Sequence, residues 1–171
     1  METNTTGLFT TPILNTNTSY WVTNNETCES TPIKIDIIVN SKPEATVKGD
    51  NDICSGTSPI FIITGTPGAT VTYNIDGGTP LTETLDSSGV ASITGPIVTS
   101  DSKITLTLVD DGTCSEILDN SATVTVVPLP TATVISSGDI CSGETPSFII
   151  TGTIGTTVTY SIDGEVNQTI I

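Results

Sequence analysis

Apolar and polar residues alternate along most of this chain in short runs, the period-two pattern typical of half-buried β-strands. One set of runs predicts strands near 44–48, 59–65, 69–75, 80–85, 90–94, 103–109 and 121–127. Turn sequences rich in Gly, Asp and Pro separate most of these runs, and no stretch longer than one turn shows a helical period. About seven short strands with a turn signal every 8–12 residues predict an immunoglobulin-like β-sandwich.

Part of this pattern occurs twice. The stretch "DICSGTSPIFIITGTPGATVTYNIDG" begins at Asp52, and a near copy begins at Asp139, 87 residues later. Residues 43–77 align with 130–164 without a gap, and 24 of the 35 positions are identical. The repeating unit therefore spans about 43 to 129 and continues through a short proline-containing linker into the next copy.

The N-terminal region carries the other part of the pattern. Residues 11–40 resemble residues 95–127 in a Pro-Ile pair, an alternating strand, a Thr-Cys pair and a final strand, with a two-residue slip before the cysteine. We therefore predict a C-terminal half unit at 1–41, a complete unit at 42–129 and an N-terminal half unit at 130–171. The predicted fold is all-β, with tandem immunoglobulin-like β-sandwiches in a beaded fibre.

A half sandwich exposes unpaired strand edges and half of a core, so something is expected to complete it. In one interpretation the chain is an excerpt of a longer repeat array and continues into further units. In the other, copies join head to tail, and the last strands of one chain complete the first strands of the next. The sequence leaves both open.

Charge narrows the possible partners. The chain has four Lys and Arg residues against 19 Asp and Glu residues, a net charge of −15, and no histidine. Such a charge repels nucleic acids and anionic membrane surfaces, so neither is an expected partner.

No apolar stretch approaches the roughly 20 residues that cross a bilayer, so membrane insertion is not expected. The first residues do not show the basic region followed by an apolar segment that is typical of a signal peptide, so we do not expect a complete secretory precursor.

The four cysteines, without histidine or a C-x-x-C motif, argue against zinc and favour extracytoplasmic disulfides. Cys54 and Cys114 fall in the complete unit, and a bridge between them would close a loop of about 60 residues and stabilise it by roughly 4 kcal/mol. However, strictly alternating strands would place the two cysteines at opposite ends of the sandwich. Free thiols, and pairing between units that involves Cys28 and Cys141, are the alternatives.

Several motifs together resemble the Ig-like and PKD-like tandem repeats of very large surface proteins of gliding Bacteroidetes. They are "ICSG" after a "TATV"-type strand, "TVTYNIDGG", "GTC" before the last strand, and "VVPLPTATV" at the junction. The N-terminal "GLFTTPILNTNTSYWV" looks like part of a second Ig-like type in the same proteins. The resemblance implies an extracellular bacterial adhesin or its stalk, exported by the type IX system and connected with gliding motility.

Other candidate sites have simpler explanations. The acidic turns 49–52, 74–78 and 109–113 could supply oxygen ligands to calcium, but no EF-hand loop is present and Asp also bends turns without an ion. No cofactor is therefore predicted, and calcium is kept as an alternative. Period-two threonines could form a flat array for a sugar or ice, but they also suit the solvent face of a strand. We expect Tyr20 or Trp21, or both, to pack into the core.

Catalysis has no candidate residues. There is no histidine for general base chemistry, no G-x-S-x-G motif and no Gly-rich loop that leads into a helix, so the chain is predicted not to be an enzyme. The predicted function is a structural repeat segment of an extracellular surface adhesin or filament, whose partners are neighbouring repeats or copies of the same chain. A carbohydrate-binding or other ligand-binding module is the alternative from a different class.

Overall fold

The computed structural model describes residues 7–24 and 27–171. Over this part of the chain it contains strands and turns but no helix, as the alternating pattern predicts. No helix here is long and apolar enough to cross a membrane. The strands are β1 (Thr18–Val22), β2 (Ile33–Ile37), β3 (Ala45–Gly49), β4 (Ile53–Cys54), β5 (Ile60–Gly65), β6 (Thr70–Ile75), β7 (Leu81–Thr84), β8 (Val90–Thr94), β9 (Ser102–Asp110), β10 (Ser115–Ile117), β11 (Ser121–Val124), β12 (Val126–Val127), β13 (Ala132–Ser136), β14 (Phe148–Gly152), β15 (Val158–Tyr160) and β16 (Gln168–Ile170).

Strands β3 to β12 form a β-sandwich, which we call the central unit. One sheet has the antiparallel order β3-β5-β8, and the other has the order β10-β9-β6-β7, with β11 also paired to β9. The short strands β4 and β12 pair in parallel. The first, second and fifth long strands thus share one sheet, and the others share the second, which is an immunoglobulin-like arrangement. The prediction of an all-β sandwich is confirmed.

The core lies between these two sheets because each strand turns alternate residues inward. In β5, Phe61 and Ile63 are buried, whereas Ile60 and Ile62 lie on the outer face and are partly exposed. The buried apolar side chains come from both sheets and form one cluster. They are Ala45, Phe61, Ile63, Ala69, Val71, Tyr73, Leu85, Ala91, Ile93, Ile104, Leu106, Val109 and Val124.

Polar turns hold the strands of the central unit in register. The Asp86 carboxylate accepts hydrogen bonds from the Ser88 hydroxyl and from the main-chain N–H groups of Ser88 and Val90, at 2.7 to 2.9 Å. The Ser88 hydroxyl and these backbone donors lower the pKa of Asp86. The turn 85–90 thereby joins β7 to β8, which lie in different sheets.

The flanking residues form only two-stranded pairs: β1 with β2, β13 with β14, and β15 with β16. Within 7–24, 27–41 and 130–171, no described side chain is buried. The apolar residues of these pairs are therefore at the surface, whereas their counterparts in the central unit form its core.

Candidate assembly surfaces

The pairs after the central unit repeat its strands in the same register. Ala132 lies opposite Gly152 in β13 and β14, as Ala45 lies opposite Gly65 in β3 and β5, 87 residues earlier. The threonine hydroxyls that bridge the two strands are repeated too, with oxygen–oxygen distances of 2.9 Å in the central unit and 2.6 Å in the copy. The sequence repeat is thus also a repeat of backbone structure.

The second strand pair after the central unit, β15 with β16, is also related to the central unit by a shift of 87 residues. In β15 and β16, Val158 lies opposite Ile170, and in β6 and β7, Val71 lies opposite Glu83, each 87 residues earlier. Residues 132–170 therefore contain counterparts of β3, β5, β6 and β7. Within these residues, no strand corresponds to β8, which extends the sheet of β3 and β5 in the central unit, or to β9 and β11, which extend the sheet of β6 and β7.

The pair before the central unit corresponds to β9 and β11. Thr18 lies opposite Ile37, as Ser102 lies opposite Val124, so β1 is shifted by 84 residues from β9 and β2 by 87 from β11. The three-residue difference falls in the loop between the two strands. A slip in this loop was predicted from the sequence.

A side-chain contact next to this pair is also repeated. The N–H of Val39 donates to Asn17 Oδ1 at 2.8 Å, and the N–H of Val126 donates to Asp101 Oδ1 at 2.8 Å. Asn17 precedes Asp101 by 84 residues and Val39 precedes Val126 by 87, the same shifts as in the strands. The leading pair thus reproduces the local geometry of the last two long strands of a unit.

The trailing half differs from the central unit in what covers it. Phe61 is fully buried, whereas its counterpart Phe148 is 56% exposed, although both lie at the same position of the same strand pair. The trailing strands line an open groove of about 870 Å³, whose apolar wall includes Val134, Phe148, Ile150 and Val158. This groove occupies the place that the core of the central unit fills.

An aspartate with a positive φ angle lies at the same position of the same turn in both copies of the repeat. Asp76 and Asp163 have positive φ angles, 52° and 51°, in the turn after β6 and after β15. In the central unit, Asp76 accepts hydrogen bonds from the Ser102 hydroxyl at 3.0 Å and from the N–H of Lys103 at 2.7 Å. Ser102 is fully buried, so Asp76 satisfies a hydroxyl that would otherwise lack a partner. Asp163 holds the same backbone conformation beside the open groove.

The structure does not bring Cys54 and Cys114 together. Cys54 lies opposite Val127. The neighbouring Val126 donates its N–H to Asp101, which directly precedes β9, so Cys54 lies near the start of β9. Cys114 follows the end of β9, where its N–H donates to Asp111 at 2.8 Å. The nine residues of β9 separate these ends by about 26 Å, far beyond the roughly 7 Å that a disulfide spans between Cα atoms.

All four cysteines are free thiols in the structure, and Cys28, Cys54 and Cys141 are exposed. The bridge predicted within the complete unit is therefore not formed, for the reason that strand alternation already indicated. Cys114 lies instead just before β10, two residues from Glu116, whose carboxylate pairs with the Lys42 ammonium at 2.5 Å. The hydrogen bond that the Lys42 ammonium donates to Glu116, and the negative charge of Glu116, raise the pKa of Lys42.

The acidic turns use their carboxylates to bind the backbone. Asp111 accepts from the N–H groups of Cys114 and Thr113, which lower its pKa. Asp110 accepts from the N–H of Gly112 at 2.6 Å. Among the described residues, no group of three His, Cys, Asp or Glu side chains is arranged to hold a metal ion. The turn geometry thus gives the calcium alternative no support.

The aromatic residues of β1 do not build a binding platform. Tyr20 is partly buried and packs edge-to-face on Phe9, with ring centroids 6.3 Å apart. Trp21, on the other face of the strand, is 63% exposed. The expectation that one of the two packs into a core is wrong: neither is buried, because no second sheet covers this pair among the described residues.

No protein-family model and no curated protein matches the chain. Function must therefore be argued from the repeat, its exposed faces and its charge.

Proposed function

We propose that this chain is a structural repeat segment of an extracellular bacterial surface filament or adhesin stalk, without catalytic activity of its own. The observation that carries the proposal is the path of the chain through the central unit. It enters beside Glu116, near the end of β9, and leaves beside Asp101, near the start of β9. Units joined in this way extend in one direction.

The segment between the central unit and the trailing half is short and contains proline, as expected between units joined in series. Five residue steps separate Val127, the last residue of β12, from Ala132, the first of β13, and two of the intervening residues are proline. Such a segment spans at most about 17 Å, and proline restricts its backbone. Consecutive units would therefore stay close together with limited bending, as a stalk that transmits tension requires.

Surface composition supports an extracellular setting. A net charge of −15 keeps a chain with large exposed apolar residues soluble and repels anionic surfaces. Alternating threonines on the outer faces of the strands, such as Thr46 and Thr64, bond to each other across the sheet and need no ligand. The resemblance to repeats of gliding Bacteroidetes adds the expectation of a cell-surface location.

Immunofluorescence on intact cells that carry the gene tests this proposal. Antibodies raised against the full 171-residue chain should label unpermeabilised cells, and brief external protease treatment should remove the label. A cytoplasmic protein serves as the permeability control. Labelling that requires permeabilisation would contradict the proposed location and with it the stalk.

A further inference from the structure

The trailing half presents an uncovered apolar surface, which we call the trailing face. It consists of Val134, Phe148, Ile150, Val158 and Tyr160, the counterparts of Val47, Phe61, Ile63, Val71 and Tyr73. In the central unit the counterparts pack in the core or against it. In the trailing half Val134 and Phe148 are 64% and 56% exposed, and the other three are partly buried. A face of this composition is expected to be covered by a protein surface.

The residues before the central unit have the side chains that would cover this face. We call residues 9–24 and 27–39 the leading segment. In the central unit, the inward residues of β8, β9 and β11 include Ile93, Ile104, Leu106, Ala122 and Val124. By the observed register, the counterparts of the last four are Tyr20, Val22, Ile35 and Ile37. The alignment of the two Pro-Ile pairs makes Phe9 the counterpart of Ile93. All five are apolar or aromatic and none is buried.

The strand edges are complementary as well. In the central unit, β6 pairs with β7 on one edge and with β9 on the other. Among the residues that the structure describes, its counterpart β15 pairs only with β16, and β1, the counterpart of β9, pairs only with β2. Each therefore has an open edge with unpaired N–H and C=O groups. The register of β6 with β9 places Tyr160 opposite Val22 and Ile162 opposite Tyr20.

We propose that the leading segment of a second copy of this chain covers the trailing face and completes a composite sandwich. The proposal rests on the proposed tandem-sandwich function and names its partner. Repeated along a series, this contact is heterologous and builds an open filament. The strands β1 and β2 would take the places of β9 and β11 beside β15 and β13.

The leading segment of a molecule cannot cover the trailing face of the same molecule. In a self-completed sandwich, the end of β2 and the start of β3 would be separated by two unit lengths, about 52 Å if each unit is as long as β9. The chain from Ile37 to Ala45 has eight residue steps and reaches at most about 28 Å. A leading segment that covers this face must therefore belong to another copy of the chain.

A polar contact would fix the register. Asp163 has the conformation of Asp76, whose carboxylate binds the Ser102 hydroxyl and the next N–H. The counterparts of those donors are the hydroxyl of Thr18 and the N–H of Ser19. In a composite sandwich, Asp163 of one copy would accept both bonds from the second copy. Without the second copy, the Thr18 hydroxyl donates to its neighbour, the carbonyl of Thr16, at 3.0 Å.

The composite sandwich would also bring cysteines of two copies together. Cys54 lies opposite Val127, and Cys114 lies two residues before Glu116, which pairs with Lys42; the counterpart of Lys42 in the next linker is Leu129. Cys28 is the counterpart of Cys114, so Cys28 of the second copy would lie on the side of the composite sandwich where Leu129 enters it. Cys54 of one copy and Cys28 of the next would then lie at the same junction, so a disulfide between them tests the arrangement. Oxidised glutathione would form it by thiol–disulfide exchange, in which two protein thiols lose their protons and two glutathione thiols are released.

The first experiment measures the mass of the full chain in reducing buffer by light scattering over a range of concentrations. The mean mass of the wild-type protein should increase with concentration and exceed the mass of a dimer. Phe148→Lys places a charge on the trailing face and should raise the concentration for half-assembly by about 100-fold. Ile149→Lys is the matched control, because Ile149 is the next residue of β14 and lies on the opposite face. It should assemble as the wild type does.

Asp163→Ala should weaken assembly by about tenfold, because it leaves a donor of the second copy unpaired. A wild type that stays at 17.6 kDa, a mass that stops at the dimer, or equal loss of assembly in Phe148→Lys and Ile149→Lys would overturn the proposal. Unchanged thermal unfolding of the central unit shows that each variant is folded. These outcomes are independent of cell-surface labelling, so failure here leaves the proposed function standing.

The second experiment locates the contact. A variant with Cys114→Ser and Cys141→Ser is oxidised with oxidised glutathione and digested, and disulfide-linked peptides are identified by mass spectrometry. A Cys28–Cys54 peptide between isotope-labelled and unlabelled copies is expected, and Cys54→Ser should abolish the covalent ladder. Copies linked only through Cys28–Cys28 or Cys54–Cys54, without a Cys28–Cys54 peptide, would contradict the head-to-tail register.

Discussion

Phe61 and Phe148 occupy the same position in two copies of one repeat, and their backbones have the same strand register. They differ in solvent exposure, because Phe61 is enclosed by side chains of both sheets, whereas Phe148 faces the open groove. The residue type and its local pattern are the same, so burial depends on residues far away in the chain. A single-residue comparison can therefore measure what the second sheet contributes.

Phe61→Ala should lower the free energy of unfolding by about 3–5 kcal/mol, because it removes a fully buried ring and leaves a cavity. Phe148→Ala should change it by no more than about 0.5 kcal/mol in dilute, monomeric protein, as expected for an exposed side chain. Urea unfolding of the full chain, followed by circular dichroism, measures both. Equal destabilisation by the two substitutions would contradict the uncovered trailing half.

Acid should destabilise the central unit partly through Asp86. The turn lowers the pKa of Asp86 below its ordinary value of 3.8, so the folded state binds its proton less readily than the unfolded state. This contribution to stability is present above the unfolded pKa and is lost as pH falls through the lower, folded value. As pH falls below the ordinary value of 3.8, Asp86→Asn should therefore show a shallower loss of stability than the wild type.

The matched control for this pH series is Asp52→Asn, since Asp52 is exposed and outside the hydrogen-bonded turn 85–90. The urea midpoint is measured at each pH for the three proteins. The Asp52 variant should follow the wild type. An Asp86 variant that loses stability as steeply as the wild type would show that the turn carboxylate does not contribute to the acid response.

At the scale of strands, the alternating pattern predicts the long strands of the central unit to within a residue or two. Apolar period and turn residues are local, so β3, β5, β6, β8 and β9 could be located from sequence. The short parallel pair of β4 and β12 could not, because two residues carry no period and their partner lies 73 residues away. The last predicted strand, 121–127, is likewise divided into β11 and β12, which pair with different strands.

The close approach of β3 and β5 predicts a matched effect at two glycines. A Cβ on Gly65 would lie 2.8 Å from the Cα of Ala45, and closer still to the carbonyl oxygen of Glu44. Gly65→Ala should therefore cost about 1–3 kcal/mol, since backbone rather than a flexible side chain must move. Gly152→Ala, its counterpart outside the core, should leave the thermal unfolding of the central unit unchanged. A Gly65 variant as stable as the wild type would contradict the packing of this strand pair.

The candidate assembly surfaces were only partly predictable from sequence. The repeat and the slip near Cys28 indicated complementary halves. The alternation of strands also raised the objection to a Cys54–Cys114 bridge. The hydrogen-bonding role of Asp76 was not predicted, because turns rich in Asp occur throughout the chain and only the structure shows which carboxylate reaches β9.

At the scale of the whole molecule, charge opposes the proposed assembly. Each copy carries a net charge of −15, so contacts between copies bring like charges together. Raising NaCl from about 10 mM to about 150 mM shortens the Debye length from about 30 Å to about 8 Å and should promote assembly. Light scattering at fixed protein concentration measures this. Dissociation with added salt would show that ion pairs, rather than apolar cover, hold the copies together.

The central claim is that the strands that complete the sandwich, rather than local sequence, distinguish the central unit from its two flanking halves. Amide hydrogen exchange on dilute, monomeric protein tests it by comparing matched segments of one chain. We predict strong protection in β5 and β9, and protection lower by orders of magnitude in their counterparts β14 and β1. Equal protection in each counterpart pair would contradict the account, because the flanking strands would then be as well covered as the core.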